Sequence, residues 1–497
     1  MLVFSCKKTI SLQFYRYYFV IKIVRKRLHI FYVLLMLVMS AMVTSCFDDE
    51  FTTSPSHLLS FSTDSVKFDT VFTEQGAVTK TFKVYNNHDK SLIITSVILD
   101  DAENSGFFIN VDGSKGPDIY NVEVPAKDSI YVFVEVTPKA TNSNMPYLIK
   151  DSIVFVTNGV RQDVKLEAYG QDAVRKKGEI IVSDTEYTSE KPYIIYDSLV
   201  VESGATLTLS PGAKLFMHDK AKIVVRGKLL SEGTQTDPVV LRGDRMDNMF
   251  SYLPYDRLPG QWDGLYISKD SYNNRFVHTI MRGTVNGMVL DSSDVSQEKI
   301  KIHNSILHNS KGNLLTINQS KVIVTNSEIS NGAGALIMCD GGDVKVIQCT
   351  LANYFSLFET IREPMLVFNR FDDTSLPTTP NAVFDNTIIV GSSRIMSPSD
   401  ISTYTNILFR NCLFTVAGSD DANFINSIWS ANPMFNCVGG DVYYYDYGIS
   451  TTESSAYQMG SESYLTPELR TDMYGVERPM GVNPDVGAYQ VVEKESF

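Results

Sequence analysis

The chain has 497 residues, with 44 Lys and Arg against 57 Asp and Glu, for a formal net charge of −13. At roughly 150 residues per domain this leaves room for two or three domains and a large core. An apolar share of 43% with 20% charged residues excludes a disordered chain; the acidic balance gives no basis for nucleic-acid binding, and 30 glycines with 18 prolines exclude collagen.

The first 45 residues hold seven basic residues (Lys7, Lys8, Arg16, Lys22, Arg25, Lys26, Arg27) and no acidic one. From Ile30 to Val43 runs an apolar stretch, long enough for a signal core and short for a membrane span. It ends in Val43-Thr44-Ser45-Cys46. Small residues before a cysteine resemble a bacterial lipobox, which implies cleavage before Cys46 and a diacylglycerol anchor on its thiol. Residues 1–45 are then a lipoprotein signal peptide. Asp48, Asp49 and Glu50 follow at once. An acidic cluster there resembles the export signal of Bacteroidetes surface lipoproteins, which implies attachment to the outer membrane facing outward. Residues 46–57 read as an acidic tether.

Residues 58–172 show short alternating runs separated by turn residues, an all-β pattern suited to a sandwich. The stretch VPAKDSIYVFVEVTP from Val124, with FKVYNN and LIITSVIL before it, resembles immunoglobulin-like domains of the hydin and major sperm protein type. Asn110, Asp112, Gly113 and Asp118 sketch a calcium loop, but the bidentate Glu at its twelfth position is missing, so a hairpin turn is expected. The run GQDAVRKK, Gly170 to Lys177, is polar and basic, and residues 173–178 read as a linker.

From residue 179 to 430 the sequence repeats. Asn304, Asn326 and Gln348 stand 22 residues apart, each inside a β-type run, and Asn386 and Asn411 occupy the same place in later copies. A period near 22 with at least two short strands per repeat predicts a parallel β-helix of roughly ten coils. Asn304, Asn326, Asn386 and Asn411 are expected to stack as a structural ladder, amide on amide, at one bend. Cys349 and Cys412 fall at the small-residue place of the repeat. With Cys339 and Cys437 they form no Cys-x-x-Cys pair, so zinc is not expected.

The runs LVVESGATLTLSPGAKLFM from Leu199 and IVVRGKLLSEGTQTDPVVLRGD from Ile223, then PGQWDGLYI from Pro259, resemble the right-handed parallel β-helix repeat proteins of the pectin-lyase-like superfamily. The tail motifs Thr471–Gly475 and Asn483–Gln490 are similar to the closing signature of secreted β-helix proteins, so residues 431–497 are expected to end and cap the helix. The resemblance speaks for fold and weakly for activity.

Two insertions interrupt the coils, at about 243–258 and 355–380. The first gathers Asp244, Arg245, Asp247, Tyr255, Asp256 and Arg257, a set able to hold a sugar or partner, or to pair internally as a lid. Tyr443–Tyr447 reads either as a stacking platform or as a strand with alternating buried rings, and Trp262 as core.

No catalytic residue can be assigned. The hydrolase motifs Asn-Thr-Asp and Gly-His-Gly of the resembled superfamily are absent, and Asp372-Asp373 and Asp420-Asp421 lie in loop-like segments. No metal or cofactor is expected, except that a lyase built from scattered aspartates would require calcium. Three readings stay open: a non-catalytic envelope lipoprotein binding a glycan or a cell-surface protein, a polysaccharide lyase or glycoside hydrolase with a non-contiguous site, and a structural or assembly protein of the outer membrane.

Overall fold

The computed structural model describes residues 50–356, 362–372, 378–392, 394–396, 406–440 and 443–492. The predicted signal segment, Cys46, Asp48 and Asp49 lie outside the described residues. Glu50 is described. Its carboxylate pairs with Lys90 at 2.7 Å, its carbonyl accepts from Ser91 N–H at 3.0 Å, and Thr52 N–H bonds Ser91 O. The predicted tether is therefore held against the first sheets from Glu50 onward.

Those sheets are two, each of five strands. One orders Ser60–Phe61, Lys80–Tyr85, Ser129–Val136, Phe107–Val111 and Ser114–Lys115; the other Ser65–Phe72, Val160–Gln171, Tyr147–Thr157, Leu92–Leu99 and Asp118–Val124. All pairings are antiparallel except that of Ser65–Phe72 with Val160–Gln171. Strict alternation drives the fold. In Ser129–Val136, Ile130, Val132, Val134 and Val136 are buried while Tyr131, Phe133 and Glu135 face out. Residues of both sheets share one apolar core, with Phe82 and Phe155 meeting across it at 6.4 Å. The suspected calcium loop is the hairpin between Phe107–Val111 and Ser114–Lys115, where Asp112 and Gly113 both take positive φ.

Residues 173–178 are not a linker. Val160–Gln171 is followed, two residues on, by Val174–Ile181, which pairs in parallel with Tyr193–Val201. The basic side chains sit on an edge strand, where charge blunts further pairing; Lys176 binds Glu179 at 2.7 Å.

From there the chain winds through three parallel faces. One runs from Tyr193–Val201 through Lys222–Val225, Gly264–Ile267, Met288–Leu290, Leu315–Asn318 and Ile337–Asp340 to Leu366–Asn369. A second leaves the same strand through Lys214–Met217, Val239–Gly243, Thr279–Thr284, Ile306–Ser310, Glu328–Gly332, Thr350–Asn353 and Ile388–Gly391 to Leu413–Phe414. The third is a ten-stranded sheet from Thr185–Tyr187 to Phe424–Ile425. Each full repeat contributes one strand to each face, for example Lys321–Thr325, Glu328–Gly332 and Ile337–Asp340. The inward side chains form one continuous apolar column from Ile181 to Phe414. Trp262 is fully buried in it and donates Nε1–H to Arg282 O at 2.8 Å. Towards the last coils the column becomes a ring stack, Phe384 on Phe409 at 4.7 Å and Phe409 on Phe424 at 5.0 Å.

One bend recurs with a left-handed residue in each coil: His278, Asn304, Asn326, Gln348, Asn386 and Asn411 all have φ between 43° and 54°. Asparagine tolerates that backbone better than most side chains. The next residue is small. Ser305 Oγ accepts from Thr279 N–H at 3.0 Å and Ser327 Oγ from Ser305 N–H at 3.1 Å. Cys349 and Cys412 hold the same place as buried free thiols, the Cys349 thiol pushed up to about 12 by burial.

The C-terminal segment does not sit beyond the last coil as a cap. After the hairpin of Phe435–Gly439 with Tyr444–Ile449, it returns along the flank over the bends. Ser461 meets Asn386, Asp485 and Gly487 meet Gln348, Arg478 meets Asn326, Glu468 pairs with Lys301 and Tyr474 meets Gln235. The second predicted insertion is also smaller than expected, because Leu366–Asn369 within it is a coil strand paired with Ile337–Asp340.

Candidate functional site

The first insertion leaves the coil at Gly243, where any Cβ would collide with the Gln261 side chain. It makes a short hairpin, Asn248–Phe250 with Leu253–Pro254, then the 3-10 turn Tyr255–Arg257. Its base is apolar. Leu253 and Leu258 pack with Ala333, with Phe355 at the start of the second insertion, and with Tyr255 and Tyr443. Both insertions and the tyrosine run thus meet on one patch of the solenoid flank.

The charged residues singled out there pair among themselves. Arg245 grips Asp247 through two hydrogen bonds of 2.7 Å and lies 3.9 Å from the Tyr255 ring centre. The Asp244 carboxylate accepts from His218 Nδ1 at 2.6 Å. Asp256 bridges two arginines of the coils below, Arg242 at 2.9 Å and Arg282 at 2.7 Å. Arg257 stands 5.4 Å from the Tyr444 ring centre. Burial lowers the Arg242 guanidinium to about 10, with Asp256 opposing the shift.

Beneath the hairpin runs a polar row that the sequence did not disclose. Arg282 registers with His308 and His308 with Ser330 on successive strands. Burial and the neighbouring Arg282 push the His308 imidazole down to about 3, so it is neutral. Arg282 Nε, Thr284 Oγ1 and Gln261 Oε1 are buried there with no partner among the described residues. Glu328, beside Ser330, is covered by the returning tail. Tyr489 Oη donates to it at 2.5 Å and Ser330 Oγ at 2.6 Å, while burial raises its carboxyl above the usual range. The signal for this row is an outward polar residue in consecutive coils, but the 40-residue step from Arg242 to Arg282 hides it.

The exposed part of the insertion is aromatic. Phe250 and Tyr252 are 46% and 50% accessible and stack with centroids 5.7 Å apart, next to exposed Met249. Between this hairpin and the Phe68–Lys80 segment of the first sheets opens a cleft of about 430 Å³. Asp69, Gln75, Thr79 and Lys80 line its far wall, and Gln75 Oε1 has no partner among the described residues.

No protein-family model matches the chain, and comparison with curated proteins returns no match. Among solved structures it is similar to a family 123 glycoside hydrolase from Clostridium perfringens, described for glycolipid glycan hydrolysis. The identity is 8% and the TM-score 0.17, over 24% of this chain and 26% of that one. The chain spans about a quarter of that enzyme, and a likeness so slight carries no argument about activity.

Of the other predicted residues, Asn304 and Asn326 do meet, Asn326 Nδ2 donating to Asn304 Oδ1. Gln348 occupies the next coil. Asn386 and Asn411 donate to the tail carbonyls of Ser461 and Met459 instead, at 2.9 and 3.5 Å. Asp420 and Asp421 serve turns, accepting from Trp429 Nε1 at 3.2 Å and Asn423 N–H at 2.7 Å. Asp372 pairs with Arg370 at 3.1 Å. Among the described residues no three metal-ligating side chains gather, and no helix is long and apolar enough to cross a membrane.

Proposed function

We propose that this is a lipid-anchored outer-membrane protein, held by Cys46 and exported through Asp48, Asp49 and Glu50. In this reading an immunoglobulin-like domain carries a right-handed parallel β-helix of the pectin-lyase-like kind, which binds a neutral glycan without cleaving it. One observation carries the binding reading: Phe250 lines the 430 Å³ cleft and stacks with exposed Tyr252 beside it, while the carboxylates of the same loop are engaged by arginines or His218. Aromatic faces take the apolar side of a sugar ring, and engaged carboxylates are poorly placed for acid and base work. The lining sets Asp69, Asp244 and Asp247 against Lys80 and Arg245, so it has no cationic excess to draw in a polyanion.

The test uses the mature chain from Phe47 onward against neutral and acidic polysaccharides, with calcium or with EDTA, following binding, chain length and unsaturated product. Binding of a neutral polymer that stays intact, lost in Phe250→Ala/Tyr252→Ala, supports the reading. Calcium-dependent shortening of an acidic polymer would replace it with a lyase, and no binding at all would leave a structural role.

A further inference from the structure

The outer face of the first sheet carries a second aromatic feature. Tyr131 and Phe133 project from the same side of Ser129–Val136, 47% and 39% exposed, with ring centroids 6.2 Å apart. Phe108, 58% exposed, projects from the neighbouring strand, whose register sets it opposite Glu135. Hydrogen-bonding side chains flank the rings: Thr81 and Asn110 stand on either side of Phe133, and Lys83 stands opposite Tyr131 with Nζ 4.8 Å from its ring centre. Large apolar rings are rarely left in a row on a sheet face turned to water, and a polar margin beside such rings suits a ligand with both faces and hydroxyls.

This row leads to the cleft. Thr79, on the cleft wall, donates its hydroxyl to Glu135 at 2.6 Å, and Glu135 follows Phe133 and Tyr131 on the same face. From Glu135 to Tyr131 is about 13 Å at ~3.3 Å per residue. We propose that Tyr131, Phe133 and Phe108 form an outer subsite for the same neutral glycan chain, continuing from the hairpin and cleft across the first sheet. This rests on the glycan-binding reading above. The chain class follows from the rings, which stack on pyranose faces, and from a path on which Glu135 and Asp69 offset Lys80 and Lys83, leaving no cationic excess to hold a polyanion.

The experiment compares trisaccharide fragments with intact polymers of neutral glucans and xylans, on the full mature chain, by calorimetry. The wild type is expected to bind polymer about ten-fold more tightly than trisaccharide, because a second subsite engages on the same chain. Tyr131→Ala/Phe133→Ala is expected to lose that gain and keep trisaccharide affinity, while Phe250→Ala/Tyr252→Ala weakens both. Phe108→Ser, a single surface change, gives the same direction should the double variant fold poorly; unchanged melting temperature is the control. Equal polymer affinity in wild type and both outer-face variants overturns the outer subsite and leaves the hairpin reading standing. Failure of the wild type to bind any of these glycans overturns both.

Discussion

Tyr489 donates its hydroxyl to Glu328 at 2.5 Å, joining a residue near the chain's end to a coil 161 positions earlier. Glu328 is buried, and desolvation raises its carboxyl above the model-compound range. A carboxyl whose folded pKa is raised favours folding most below its unfolded pKa, and that contribution falls away as pH rises through the folded value. Glu328→Gln is therefore expected to melt near wild type in mild acid and above it at alkaline pH. Paired thermal melts across that range check this; an equal difference at every pH would contradict it.

Asp256 holds the insertion down through Arg242 and Arg282. Asp256→Ala leaves two largely buried guanidinium groups facing each other. The carboxylate is partly exposed, so the expected loss is reduced by solvent to about 1–3 kcal/mol. The loss should be local. Hydrogen exchange is expected to speed up across residues 248–258 while the strands on either side keep their protection.

Asn326 combines two roles that substitution can separate. Its φ is 49°, and its side chain donates to Asn304 and accepts from Arg478 at 2.8 Å. Asn326→Gly keeps the backbone permissive and loses only the side-chain bonds, while Asn326→Ala adds about 1 kcal/mol of left-handed strain. Denaturant unfolding is expected to rank wild type above Gly and Gly above Ala.

Phe409 lies between Phe384 and Phe424 in the core stack. Phe409→Ala removes a fully buried ring, and the rigid coils above and below cannot collapse onto the gap. A loss of about 3–5 kcal/mol is expected in denaturant unfolding.

The coils were legible because their signal is periodic. The 22-residue spacing of Asn304, Asn326 and Gln348 maps onto a bend where each has positive φ. The alternation of Ile130, Val132, Val134 and Val136 likewise gives a two-faced strand directly. The basic run was not legible: Arg175, Lys176 and Lys177 look like a linker, yet backbone pairing with Ile194, Ile195 and Tyr196 makes them a strand. The site was only half legible. Asp244, Arg245, Asp247, Tyr255, Asp256 and Arg257 stand in one loop, but which of them are spoken for depends on Arg242, Arg282 and His218, which are contacts across coils. The side strap was least legible, since nothing in Arg478 or Asp485 as letters tells that they bond a flank far upstream.

Stacked repeats ordinarily melt from their ends, because each unit touches only its neighbours. Here the returning segment crosses coil after coil, from Asn411 and Asn386 to Lys301 and Gln235. The outermost coil cannot fray without lifting a strip that also binds the middle ones, so a linear array behaves as one cooperative unit. The same strip is synthesised after every coil it crosses. Until it docks, the polar bends at Asn326 and Gln348 and the carboxyl of Glu328 stay open to water, so the solenoid gains its final rigidity only with that strip in place.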